Sequence, residues 1–220
     1  MPSRRFTTGS SSGVAAPGGD KLTGLQLLQV AGIPVPATQV LTSAPAEFPE
    51  VSSDVVIFRP NLPTTFDANA VEAHSGEIDS IVVRRGDWLE ARAPIAELIA
   101  FHEVLLQPYI EHDAGAIAHF WPTAALMRFA IAPHVSSLAS GEDAAVDGYL
   151  DILNARFVTN TPVITSSVAA LIAGVMRIAP RLRSLPVQQG WEFELCLDRF
   201  GTVIFLQAQP SSTACPEEWE

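Results

Sequence analysis

The sequence predicts an α+β protein built on a mainly antiparallel sheet, and three stretches carry that prediction. Residues 116–122, 126–133, 149–158 and 162–166 are apolar segments of strand length, with turn signals at Ser140-Gly141-Glu142-Asp143 and Asp147-Gly148. Residues 167–182 place Val168, Leu171, Ile172, Val175, Met176 and Ile178 on one helical face, and Arg181 and Arg183 suit the negative end of its dipole. Residues 190–210, GWEFELCLDRFGTVIFLQAQP, read as two strands and a turn.

That last hairpin holds the most chemistry. Trp191, Phe193 and Leu195 alternate with Glu192, Glu194 and Cys196, so the first strand has an apolar face and a face bearing carboxylates. Asp198-Arg199-Phe200-Gly201 forms the loop, with Gly201 supplying the unusual dihedral. Val203 to Leu206 is a buried strand, which Gln207-Ala208-Gln209-Pro210 ends. Carboxylates on so apolar a hairpin call for water, a cation or a metal to answer them. Glu194 and Gln207 lie near the ends of adjacent strands and offer oxygen atoms to a hard cation. A core hairpin with one solvated face explains the same alternation.

The remaining elements follow in order. Residues 1–19 are rich in Ser, Gly, Thr and Pro and read as a flexible tail. Leu22, Leu25, Leu27, Leu28 and Val30 mark an amphipathic helix with Gly32 as its C-cap. Ile33-Pro34-Val35-Pro36 is an extended turn, because each proline moves its predecessor out of the helical region. A short strand at 38–41, a loop or short helix at 43–53 and a buried strand at 55–58 ending at Arg59 come next. A strand at 78–83, a turn at Arg84-Arg85-Gly86-Asp87, a helix at 91–103 and a strand at 104–110 complete the first half. Residues 211–220 form an acidic tail.

Composition excludes several function classes. A net charge of -11 disfavours binding nucleic acid or an anionic membrane through bulk charge. No apolar run is long enough to span a bilayer, and no hydrophobic segment follows Arg4 and Arg5, so a cytoplasmic protein is expected. Cys196 and Cys215 make neither a disulfide framework nor a zinc set. His74, His102, His112, His119 and His134 are scattered without metal-ligand spacing or an evident partner. Asp147, Asp151 and Asn154 match no calcium loop and read as turn residues.

Five patches in order resemble the ATP-binding domain of phosphoenolpyruvate synthase and pyruvate phosphate dikinase. They are the first helix with Ala31-Gly32-Ile33-Pro34-Val35-Pro36, the Arg59 strand, Ser75-Gly76, the Val104–Ile110 strand followed by Ala114-Gly115-Ala116, and the final hairpin. The hairpin is similar to the family pattern D-x-E-W-A-x-D-x-x-G-x-L-Y-x-L-Q-x-R-P, with Glu194, Gln207 and Pro210 on its Glu, Gln and Pro. The resemblance implies an ATP-grasp-like α+β fold with two lobes, roughly residues 20–103 and 104–210. It implies ATP against the strand end Gln107, Pro108, Tyr109 and Ile110, with Mg2+ on Glu194 and Gln207 and phosphates near Lys21 and Arg59. Lys21, the one lysine of the chain, falls in the register of the family's phosphate-binding lysine, although Gly18-Gly19 is offset by Asp20.

The chain also departs from the pattern. Gln209 stands where the family has a phosphate-contacting arginine, Arg59-Pro60-Asn61 replaces Arg-Ser-Ser, and the acidic pair that follows is missing unless Asp67 stands in for it. The expected function is therefore an ATP-dependent phosphotransferase or ligase component, with the phosphoryl acceptor on a partner protein or a separate molecule. The alternatives are a degenerate member that binds a nucleotide or protein without chemistry, and an assembly protein that keeps only the fold.

Overall fold

The computed structural model describes residues 21–61, 80–135, 138, 144–159, 165–187, 190–211 and 215–216. The readings at Asp67, Ser75-Gly76, the 140–143 turn and nearly all of the expected 162–166 strand lie outside those residues. Two units are present, dividing at Tyr109 and Ile110. Lys21 and Leu22 belong to the first unit, and Thr23 to Val35 to the second.

The first unit holds a sheet of β1 (Gln39–Leu41), β2 (Val55–Pro60), β3 (Ile81–Arg84) and β4 (Val104–Pro108), in the order β1-β4-β2-β3. Every neighbouring pair is antiparallel. One face is apolar: Val56, Phe58, Val83, Val104 and Leu106 pack with Trp88 and Ile95 of helix α2 (Trp88–Phe101). This helix begins three residues before the expected Ala91, because Trp88 is a core residue that stacks on Phe58 and meets Phe48 edge-on. The turn before it is a single 3₁₀ turn, Arg85–Asp87. The expected strand at 104–110 stops at Pro108, which has no N–H to continue a ladder.

The second unit is built on a six-stranded antiparallel sheet, ordered β10-β9-β5-β6-β7-β8. Its strands are β5 (His112–Trp121), β6 (Leu126–Ala132), β7 (Val146–Asp151), β8 (Arg156–Thr159), β9 (Gly190–Asp198) and β10 (Val203–Ser211). The expected strand at 149–158 is two strands, because the chain turns at 152–155 with Ala155 at φ 52°. Helix α3 (Ser166–Leu182) is capped by Thr165, whose hydroxyl oxygen accepts the Val168 amide at 3.3 Å. Its Leu171, Val175 and Leu182 share a core with Phe120, Phe129, Phe193 and Phe205 of the sheet. Leu28 of helix α1 (Lys21–Val30) and Ile33 join the same core, and Gly32 ends α1 at φ 70°.

The 190–210 hairpin forms as expected, with Gly201 at φ 76° in its loop. One detail differs. Gln207 to Pro210 continues the strand as far as Ser211. Pro210 is tolerated because β10 is an edge strand, where no further ladder needs its missing N–H. The ladder carries a β-bulge: Phe205 faces Leu195, but Gln207 faces Glu194, leaving Leu206 as the extra residue.

Helix α1 lies close against β10 through Gly24. A Cβ built there would fall 2.0 Å from the Ala208 carbonyl oxygen and 2.6 Å from its carbon. No rotamer change relieves a clash with backbone. Gly24→Ala is therefore expected to destabilise by about 1–3 kcal/mol or more, the usual range for overpacking. Gly86→Ala, where no atom lies within 4 Å, should be neutral or slightly stabilising. Urea unfolding of both variants checks this, and equal midpoints would contradict the packing of α1 on β10.

Candidate functional site

Buried polar side chains mark the sites, because each is costly unless something answers it. Among the described residues Arg59, Asn61, Gln107 and Gln207 are buried. Three of these four are residues that the sequence singles out.

In the second unit the bulge decides the arrangement. It places Gln207 directly opposite Glu194 and Gln209 directly opposite Glu192, all on the face away from Phe193 and Phe205. Register partners in an antiparallel pair hold their Cβ atoms about 4.5–5.5 Å apart. Gln209 donates its amide to Glu192 Oε1 at 2.8 Å, and the Gln207 amide reaches Gln209 Oε1 at 3.4 Å. That leaves Gln207 Oε1 buried without a hydrogen-bond partner among the described residues. An unmatched buried oxygen costs about 1–3 kcal/mol, which an apolar residue of the same size would avoid. The donor set fits a hard divalent cation: one carboxylate, one carboxamide oxygen in need of a partner, and no soft ligand. Among the described residues no group of three or more His, Cys, Asp or Glu could hold a metal, so these two would supply part of a coordination shell.

His119 on β5 is the residue that sequence reading passes over. It faces Glu192 across the sheet, with Nδ1 3.7 Å from Glu192 Oε2 and 3.2 Å from Ser211 Oγ. Hydroxyl and carboxylate meet the same ring nitrogen. A serine–histidine–acid relay needs both nitrogens, so this cluster is not one. The signal in sequence was weak, since only the register brings positions 119, 192 and 211 together.

In the first unit, Arg59 and Gln107 share the face opposite α2. Arg59 is paired with Leu105 and Gln107 with Ile57, which makes Arg59 and Gln107 diagonal neighbours. The Gln107 amide donates to Thr38 Oγ1 at 3.0 Å. Asn61 follows on the same face and accepts the Leu22 amide at 3.2 Å through Oδ1. Lys21, the preceding residue, is thereby brought to the strand end that carries Arg59.

The strand end at Gln107 to Ile110 offers less backbone to a base edge than the sequence suggests. Pro108 has no N–H, and the Tyr109 amide already donates to Val55 oxygen at 2.9 Å. The Ile110 carbonyl accepts from His112 Nδ1 at 2.8 Å. Val135 donates its amide to the other ring nitrogen at 3.3 Å, which places the imidazole proton on Nδ1.

The acidic turn residues are structural. Asp147 pairs with Arg128 at 2.8 Å, and Asp151 accepts both the backbone and side-chain N–H groups of Asn154 at 3.0 and 2.6 Å. The Asn154 side-chain bond, followed by its backbone bond, holds the Asp151 carboxyl below the usual carboxylate range.

The fold can be set beside solved structures. An ADP complex of N5-carboxyaminoimidazole ribonucleotide synthetase matches 89% of this chain and 46% of its own, with a TM-score of 0.52 and 16% identity. D-alanine–D-alanine ligase from Bacillus anthracis complexed with ATP gives 86% and 54%, a TM-score of 0.49 and 11% identity. The ATP-grasp ligase PsnB gives 91% and 54%, a TM-score of 0.43 and 15% identity. The chain thus spans about half the length of each. Its fold is ATP-grasp-like, α+β with two antiparallel sheets. No family model and no curated protein matches the chain. Among the described residues no helix is long and apolar enough to cross a membrane.

The Asp151 turn supplies a pH prediction. A carboxyl held low in the folded state adds stability above the ordinary carboxylate range and loses it as pH falls through its own depressed midpoint. Asn154→Ala removes the side-chain bond and keeps the backbone one, so the Asp151 midpoint should rise toward the ordinary range without reaching it, and that acid-sensitive contribution should shrink. An NMR titration of the Asp151 carboxyl carbon checks this, and an unmoved midpoint would contradict it.

Proposed function

We propose that the chain is an ATP-binding protein of the ligase or phosphotransferase kind, which acts with a phosphoryl acceptor carried by a partner protein or supplied separately. The observation that carries the reading is the Glu194–Gln207 register pair with its buried Gln207 oxygen, unmatched among the described residues. A fold alone gives no reason to keep a carboxamide there, whereas a magnesium-bound nucleotide does. The ATP-grasp-like fold supports the same reading. The narrower assignment, to the phosphoenolpyruvate synthase kind, rests on the order of Lys21, Arg59, Gln107, Glu194, Gln207 and Pro210 along the chain.

The roles follow from charge. Glu194 and Gln207 hold the divalent cation. When bound, that cation neutralises phosphate oxygens and orients them. Lys21 and Arg59 supply positive charge to the phosphates, Lys21 as a mobile point charge and Arg59 as a planar fork. The base lies along Gln107 to Ile110, where the occupied Tyr109 amide leaves shape and apolar contact the larger part of recognition. Catalysis by such a set is positioning together with charge neutralisation, without a covalent step on the protein.

One observation favours a second reading, a nucleotide- or protein-binding module without turnover. Gln209 stands where the resemblance expects an arginine, and its amide is committed to Glu192. The second unit's polar face therefore carries two carboxylates and no arginine among these residues.

A thermal melt with and without magnesium-ATP tests the proposal. A ligand present at about 100 times its Kd stabilises the native state by about 2.7 kcal/mol. For a chain of this size each kcal/mol is worth about 2–4 °C. Wild type should rise by several degrees, Glu194→Gln should not, and EDTA should abolish the rise. No shift in wild type at millimolar ATP would overturn the proposal, while a shift without release of ADP under any acceptor would favour the second reading.

A further inference from the structure

We infer that Asn61 is a positioning residue for Lys21, fastening the start of α1 to the strand end that carries Arg59; the inference rests on the nucleotide reading above. Asn61 is 5% exposed and sits two residues beyond Arg59, on the same face of the sheet. Its backbone amide and both ends of its side-chain carboxamide have partners. The backbone amide donates to the Glu103 carbonyl at 2.8 Å, extending the β2–β4 ladder by one rung. The side-chain amide donates to Glu103 Oε1 at 2.5 Å, which fixes the carboxamide plane. Held so, Oδ1 accepts the Leu22 amide at 3.2 Å.

Leu22 is the second residue of α1, and its amide is one of the four at a helix start that have no partner within the helix. Such amides are usually capped by the residue just before the helix. Here a side chain 39 positions away in sequence caps one of them. The consequence is particular to this position. The Lys21 side chain leaves the backbone one residue from the tethered amide, and Arg59 leaves it two residues from Asn61. A single carboxamide therefore sets the spacing of the two cations assigned to phosphate. Serine in its place would be too short to reach Glu103 and the helix together, whereas asparagine has a donor and an acceptor on one rigid plane.

The test is a double-mutant cycle on the whole chain, Asn61→Ala with Lys21→Met, read by the Kd of magnesium-ATP and by amide hydrogen exchange at Leu22. Asn61→Ala should speed Leu22 exchange by at least tenfold and weaken magnesium-ATP by about three- to tenfold. In the Lys21→Met background the same change should alter Kd by less than twofold, since the side chain it positions is gone. Glu103→Ala, which loosens the carboxamide and keeps its acceptor, should show the same pattern at smaller amplitude and serves if Asn61→Ala unfolds. Unchanged Leu22 exchange, or equal losses in both backgrounds, would overturn the positioning role. A wild type that binds no magnesium-ATP would instead overturn the nucleotide reading, and Leu22 exchange would still decide whether Asn61 is the cap.

Discussion

One extra residue in a strand governs the second unit's chemistry. Between Phe205 and Gln207 the β9–β10 ladder slips by one, and Leu206 is the residue accommodated. In a regular ladder Gln207 would follow Phe205 by two positions and point into the apolar core. With the bulge, Phe205 and Ala208 both face the core, and Leu206, Gln207 and Gln209 face away from it. Leu206 joins Cys196 and Val135 in a small apolar cluster of its own. The slip thus keeps Phe205 and Leu206 both buried while it sets a carboxamide opposite a carboxylate. Bulges serve to re-aim side chains, and this one re-aims the two glutamines that meet Glu192 and Glu194.

The first unit solves a related problem without a bulge. Its sheet buries one face on α2 with Phe58, Leu106, Trp88 and Ile95, and strict alternation sends Arg59, Asn61 and Gln107 to the other. Buried polar groups on a strand face need specific partners, and Gln107 and Asn61 each have one to hand. Gln107 is held by Thr38, itself bonded to the Pro36 carbonyl at 3.0 Å, and Asn61 is held by Glu103. These bonds fix side-chain direction before any ligand arrives, which reduces the ordering a ligand must impose.

Strong periodicity made much of this legible in the sequence. The α3 face, the Trp191–Phe193–Leu195 alternation and the Gly201 turn all follow from local pattern, and all form. The register was not legible. The run Val203-Ile204-Phe205-Leu206 is apolar at every position, so it carries no period from which a slip could be read. Long-range juxtapositions were hidden for the same reason. Nothing local connects His119 to Glu192 and Ser211, or Asn61 to the Leu22 amide. The start of α2 was less legible because the polar turn Arg84-Arg85-Gly86-Asp87 runs directly into it, while Trp88 drives the helix by burial. Nothing local to Pro108 and Tyr109 shows that the Val55 carbonyl takes the Tyr109 amide.

The central claim is that the bulge builds an oxygen pair for a hard cation carrying a nucleotide. Electron paramagnetic resonance of Mn2+ with ADP, recorded with wild type and with Gln207→Leu, tests it most directly. Leucine keeps the side-chain volume and removes the unmatched oxygen, so the variant should fold. The account predicts a ternary spectrum distinct from that of Mn2+–ADP alone for wild type, and at least tenfold weaker formation of it in the variant. A wild-type spectrum identical to that of Mn2+–ADP alone, or equal formation in both proteins, would contradict it.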